Sequence, residues 1–520
     1  MLRVVMRRHP TWIASACALL LAALGSSCSF DPVARPVMPE RLDEEPAELL
    51  GRLDVRGQYV LLARGDARGG VRVSISRWRK RESCTLPMVP SGPLSAPAER
   101  PRGAKGPRLY APAGLDRGDD GTELVLVDEA CGVHEGYGLV KPRSIRTFGS
   151  AIDGRPLFTY LDPEDVLHVI DPYASLTPHV VANDVRSVRA GAGGPKLGDD
   201  ALWLLEGDGL TRRRLDGRRE LALGSAVSTF VLHPQGRRVA FIDGEALYEA
   251  VAPEFSVKRI AEDACSPRYS GGNLEFFAPC EAQELVRIRL TNGAVQTFEP
   301  GVFASSVQDG VQLDYVSGED DTEQLVAQFH DGARMPITPS FARGKVYVMD
   351  EGRLAGLDPE RRFGVWQRDD ASFRTLLPDV EELRSHHRGK SHSYSWLLHH
   401  ALDEAGLGTL TVFDERDMRS VQLAHGVPRS GQGGFLMENG DALPDYPFAK
   451  PLLVLLEDAQ PLPGLPERFR GRLRALAMGG EPSVPLAEGV SSYMLVADPV
   501  PGLLYAIDEG EERGLWFAGL

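Results

Sequence analysis

From Gly51 to Leu520 short apolar runs meet polar turns at a steady rhythm. Tyr59–Leu62 leads to Val71–Ser74, and Leu157–Leu161 leads to Val166–Asp171. Leu202–Leu205 is followed by Gly209–Arg212 and Asp216-Gly217; Val239–Ile242 turns at Asp243-Gly244 into Ala246–Tyr248. Leu274–Phe277 leads to Leu285–Leu290 and Asn292-Gly293, Leu313–Val316 to Leu325–Phe329 and Asp331-Gly332, and Val346–Met349 through Glu351-Gly352 to Leu354–Asp358. Leu503–Ile507 and Leu515–Ala518 repeat the pattern near the end. Runs of four to six β-branched or aromatic residues separated by Asp-Gly or Asn-Gly are hairpin signals. Helical spacing is nearly absent, with Pro378–Arg388 the one short candidate.

The first runs begin at 157, 202, 239, 274, 313 and 346, at intervals of 33 to 45 residues. A unit of that length built from short antiparallel strands predicts an all-β fold, a β-propeller of about seven or eight blades over residues 50–520. The alternative is a pair of β-sandwich domains, with less regular spacing. About ten hairpins can be counted, so some are expected to share a blade or to belong to a less regular part from about residue 380. Met88–Pro107 and the Pro-rich stretch Pro444–Pro466, around the apolar run Leu452–Leu456, read as loops or surface flaps.

One unit is specific enough to carry a resemblance. His233-Pro234-Gln235-Gly236 followed by Val239, Ala240 and Phe241, with Leu247-Tyr248 after a turn, resembles the WD40-like repeat of TolB-type propellers. His233 stands where that repeat has Ser, and Gln235 where it has Asp. Pro234 and Gly236 still make the turn, and Val239 and Phe241 share a face. The resemblance implies the fold and no activity.

The chain opens on Arg3, Arg7 and Arg8, then an apolar stretch from Ile13 to Leu24, then Gly25-Ser26-Ser27-Cys28. These are the parts of a secretory signal, and the stretch is short of the roughly 20 residues that span a bilayer. Small residues before a cysteine resemble the lipobox of bacterial lipoproteins, with Gly25 where that family has Leu, Val or Ile. The resemblance implies cleavage after residue 27, lipidation of Cys28, and outer-membrane sorting from Ser29. Plain cleavage near Ser26 or Ser27 is the alternative. Residues 28–49, with Pro32, Pro36, Pro39 and Pro46, read as a Pro-rich acidic tether.

Removing the signal leaves 55 basic against 73 acidic residues, a net −18. That sign excludes nucleic acid as partner and polybasic attachment to lipid, leaving the anchor as the membrane contact. The 58 bases of the full chain comprise 50 Arg and 8 Lys, the skew a GC-rich genome produces. Four cysteines remain after the signal and Cys28. An even count in an exported chain suggests two disulfides, Cys265–Cys280 closing a hairpin-sized loop and Cys84–Cys131 the other, against four buried thiols.

Little looks catalytic. His386, His387, His392, His399 and His400 crowd near Asp403 and Glu404, and His392 and His399 are the candidate metal ligands. No recognised ligand frame accompanies them, and Tyr394–Leu398 reads as a strand that splits the histidines between faces. Gly191–Lys196 lacks a nucleotide-binding frame, and Asp119-Asp120, Asp199-Asp200 and Glu319–Asp321 read as solvated turns. No cofactor, metal or catalytic residue is expected. The expected role is a non-catalytic envelope lipoprotein, periplasm-facing or surface-exposed, whose propeller binds an envelope protein or glycan. The alternative is a propeller enzyme or metal-dependent ligand binder with its site in the central channel.

Overall fold

The computed structural model describes residues 39–45, 47–54, 57–65, 71–90, 109–118, 121–141, 143–149, 156–190, 201–215, 218–270, 272–317, 323–350, 352–388, 393–414, 418–430, 434–438, 452–477, 485–496 and 502–519. Cys28, His392, Gly191–Lys196, Asp119-Asp120, Asp199-Asp200 and Glu319–Asp321 lie outside them.

Among the described residues there are nine antiparallel sheets of four strands and one of seven. In chain order the blades occupy Glu48–Thr85, Tyr110–Val140, Arg146–Ala182, Val185–Leu223, Val227–Ala261, Cys265–Thr297, Val302–Ile337, Val346–Leu377 and Val380–Pro428. The seven-stranded sheet is two blades fused through one long strand, Pro485–Val496. Its first half pairs with Leu465–Ala477 and ends the tenth blade. From Val490 onward it pairs with Gly502–Ile507 and begins the eleventh. The eleventh blade continues into Gly514–Gly519 and takes its outermost strand, Glu40–Asp43, from the start of the chain.

Packing closes the ring. A strand buried on both faces sends alternate side chains to opposite neighbours. In the first blade Leu61, Val73 and Ile75 pack on Val125 and Val127 of the second, while Val60 and Leu62 turn back onto Met494, Leu504 and Phe517 of the eleventh. The same two-way alternation recurs throughout: Val239 and Phe241 meet Trp203 of the fourth blade, and Ala240 and Ile242 meet Leu274 and Phe276 of the sixth. Every pair of successive blades shares such a core, down to Val454, Phe469 and Leu473 against Leu503 and Tyr505 between the last two.

Backbone bonds staple the blades at one end. The amide of Val185, entering the fourth blade, donates to the Asp165 carbonyl in the turn between the second and third strands of the third. Val227 to Asp208, Ala264 to Glu245 and Val380 to Arg361 repeat the bond. Asp184 and Asp379, each just before a donating amide, have positive φ, which Asp tolerates better than most residues. First strands contact the next blade's first strand, as Val227–Leu232 does with Cys265–Ser270, so they lie innermost. Fourth strands form the rim, where Val295–Thr297 is exposed throughout.

The all-β propeller is as expected, with three corrections. The blades outnumber seven or eight because every counted hairpin carries its own rim strand, polar and easily taken for loop, as in Ser256–Ala261. Pro378–Arg388 is no helix; Val380–Arg388 is the first strand of the ninth blade. Residues expected as tether or flap form strands: Glu40–Asp43 and Glu48–Arg52 at one end of the chain, Leu452–Leu462 and Leu465–Ala477 at the other. Among the described residues no helix is long and apolar enough to cross a membrane.

Candidate functional site

The tenth blade departs from the others. Its second and third strands run 11 and 13 residues. The strand before them reaches only as far as Leu455, and the strand after them only to Gly471. The remainder, about residues 458–470, is a hairpin arm standing beyond the sheet.

Arginines at every second position brace the arm. Arg474 is tied to the buried Glu457, and Arg472 Nε donates to Glu488 at 2.6 Å. Arg470 grips Asp508 with two nitrogens, at 3.1 and 3.2 Å, and Glu509 at 2.7 Å, all in the eleventh blade. Arg468 reaches Glu48 in the first blade at 3.1 Å. Alternation puts Phe469 and Leu473 on the opposite side, in the core shared with the eleventh blade. Each exposed ion pair contributes little alone, but one strand tied to three blades is held in a single pose. The Arg470 guanidinium holds the Glu509 carboxyl below the usual range, and Glu509 raises the arginine in turn.

Two clefts flank the arm. One, of about 310 Å³, lies among Asp458, Pro461, Leu462, Arg470, Arg472 and Glu488. The other, of about 270 Å³, lies among Glu48, Arg64, Arg468, Ser491 and Asp508. The tip beyond them is apolar and exposed: Pro461, Pro463, Leu465 and Pro466, with Leu462 half-buried. The Pro-rich composition made this segment read as a flap, though the spacing of Arg468, Arg470, Arg472 and Arg474 was itself a period-two signal.

Of the five crowded histidines, His399 and His400 have described side chains, and these part company. His399 is fully buried, and its Nε2–H donates to the Val427 carbonyl at 2.8 Å. His400, on the opposite face of the strand, meets the Thr411 hydroxyl through Nε2 at 2.9 Å. Among the described residues no three His, Cys, Asp or Glu side chains gather as metal ligands. Burial pushes the pKa of His399 down, and that of His400 likewise. A histidine depressed in the folded state takes its proton first in the unfolded chain. Stability is therefore full above the ordinary value of 6.5 and falls as pH drops below it. Urea midpoints between pH 8 and 5 should fall toward acid, and less steeply in His399→Phe than in the parent.

The disulfides join Cys84 to Cys131, between the first two blades, and Cys265 to Cys280, within the sixth. The His233 turn is built as its motif requires. The Gly236 amide donates to the His233 carbonyl at 2.7 Å, and the Gln235 amide to His233 Nδ1 at 3.2 Å, so the imidazole does the work of the usual Ser oxygen.

No family model and no curated protein matches the chain. Among solved structures it is similar to the tricorn protease, at 10% identity and a TM-score of 0.25, over 86% of this chain and 48% of that one. It thus spans about half of that protein. It is also similar to a eukaryotic initiation factor, at 13% identity and a TM-score of 0.31 over 71% and 94% of the two chains. Puromycin hydrolase follows at 14% identity and 0.24, over 61% and 62%. The fold rests on the blades themselves.

Proposed function

We propose that this chain is a non-catalytic lipoprotein of the outer membrane, anchored through Cys28, whose propeller serves as a platform for an envelope protein or glycan. The braced arm carries this reading. Its arginines are engaged by carboxylates that fix its pose, leaving an exposed apolar tip as the part offered outward. Loops and turns on a rigid scaffold are where binding surfaces are built. Among the described residues no group of three His, Cys, Asp or Glu side chains on the arm could hold a metal ion.

The test compares the parent with a variant in which Pro461–Pro466 is replaced by Asn-Gly, the shortest hairpin turn. Pull-downs from cross-linked envelopes are expected to recover one protein or glycan with the parent, and at least tenfold less with the trimmed arm. Recovery of nothing above background, or equal recovery by both, contradicts the platform. Mass spectrometry of the mature N-terminus checks the anchor separately: an acylated Cys28 is expected, and an unmodified cysteine overturns it.

A further inference from the structure

Strand direction fixes the end of the ring at which Glu40 enters. Glu40–Asp43 lies antiparallel to Gly514–Gly519, with Glu40 opposite Phe517 and Asp43 opposite Leu515. Glu40 therefore sits at the end where first strands turn into second strands, beside the exposed Arg81, to which it is paired at 3.0 Å. Arg79 and Lys80 are exposed in the same turn. Twelve Cα steps separate Cys28 from Glu40, a reach of at most about 40 Å. The opposite end of the ring holds the turns between second and third strands. There Glu164, Asp208, Glu245, Glu281, Glu360 and Glu404 are each exposed, one to a blade. The arm rises from this same end, since it too joins a second strand to a third.

We propose that the end of the ring bearing the arm and these acidic turns faces away from the membrane and docks a positively charged protein, while the end beside Arg79–Arg81 stands over the lipid. This rests on the anchored-platform reading above. Exposed carboxylates occur at both ends, Glu254, Asp369 and Asp370 among those at the near end, so two observations carry it: the closing strand enters beside the basic turn, and the apolar tip stands at the far end. Anionic headgroups favour the turn Arg79–Arg81 and repel the carboxylates around the arm within a Debye length of about 10 Å. A protein partner with a basic rim around an apolar patch complements both the turns and the tip.

The test uses the lipidated chain on vesicles of phosphatidylethanolamine and phosphatidylglycerol, with a fluorophore on Gln235→Cys at the near end or Ala405→Cys at the far end. A quencher carried by the lipid is expected to act at least threefold more strongly at Gln235→Cys; stronger quenching at Ala405→Cys overturns the orientation. Flotation of the vesicles reports anchoring independently, so a chain that fails to float condemns the anchor and not the choice of face. The docking half is read in solution with decalysine as probe. Combined Glu245→Gln, Glu360→Gln and Glu404→Gln should weaken its binding at least fivefold. Asp369→Asn, Asp370→Asn and Glu254→Gln, at the near end, should leave it unchanged. Equal losses from the two sets overturn the assignment.

Discussion

A chain shortened to begin at Glu44 should lose about 4 kcal/mol of stability and expose a new sheet edge, whereas one beginning at residue 39 should match the full chain. The difference is the closing strand alone. Glu40–Asp43 supplies the eleventh blade's outermost backbone pairing, with Leu42 packed on the core that joins the eleventh blade to the first. The lost backbone bonds, at roughly 1 kcal/mol each, and the apolar surface of Leu42 set the magnitude. Asp43 also holds Arg64 of the first blade, so the seam loses an ion pair as well. Equilibrium unfolding in urea measures the loss, and hydrogen exchange should localise it to Gly514–Gly519 and Glu48–Arg52. A point variant gives the same answer in a full-length chain. Gly514 sits at φ 142° with the Asp43 carbonyl oxygen where a side chain would begin, 2.2 Å from an added Cβ. Gly514→Val should therefore release the closing strand. Unchanged exchange at Gly514–Gly519 in both variants would show that the ring does not depend on this strand.

Glu275→Ala should be as damaging, costing about 3–5 kcal/mol, because it strands a buried cation. Glu275 is 2% exposed and accepts from Arg287 Nε at 2.8 Å and from Arg268 Nε at 2.9 Å. Arg287 is itself buried, donates to the Ser305 carbonyl of the seventh blade at 2.8 Å and lies over the Phe298 ring. Removing the carboxylate leaves that guanidinium one carbonyl and one ring face. Replacing both partners, Glu275→Leu with Arg287→Met, should recover most of the loss, since a buried pair costs desolvation that apolar side chains avoid. A double variant as unstable as the single one would mean that the ion pair, rather than the stranded charge, sets the penalty.

The parts of this molecule that were readable in its sequence are those whose side chains face two apolar neighbours. Val239–Ile242 and Leu202–Leu205 show themselves as unbroken apolar runs because both faces of a blade's middle strands are covered. Strands with only one covered face do not. Glu40–Asp43 has only Leu42 directed inward and carries charge at every other position, so composition places it with the prolines around it. Val295–Thr297 is wholly exposed and is specified by its neighbour's backbone rather than by its own pattern. The arm was hidden for another reason. Prolines at its tip signal a turn correctly, but two long strands lead into that turn, and the arginines along one of them belong to ion pairs with residues as distant in sequence as Glu48. His399 shows the converse: crowding along the chain offers a ligand set, but strand alternation already separates the histidines, and the pleat sends His399 and His400 to opposite faces.

The seam between the two ends of the chain also sets a timetable. Arg41, in the closing strand, bonds the carbonyl of Arg513, 472 positions away. A ribosome delivers Glu40–Asp43 long before its partner Gly514–Gly519, so while every intervening blade is made that early segment waits without its mate. The intervening blades can stack one upon another as they emerge, each leaning on the one before. The eleventh blade alone must recover a strand made before the first blade. Whatever guards the nascent protein therefore has two open edges to protect, one on each side of a gap that disappears only with the final strand.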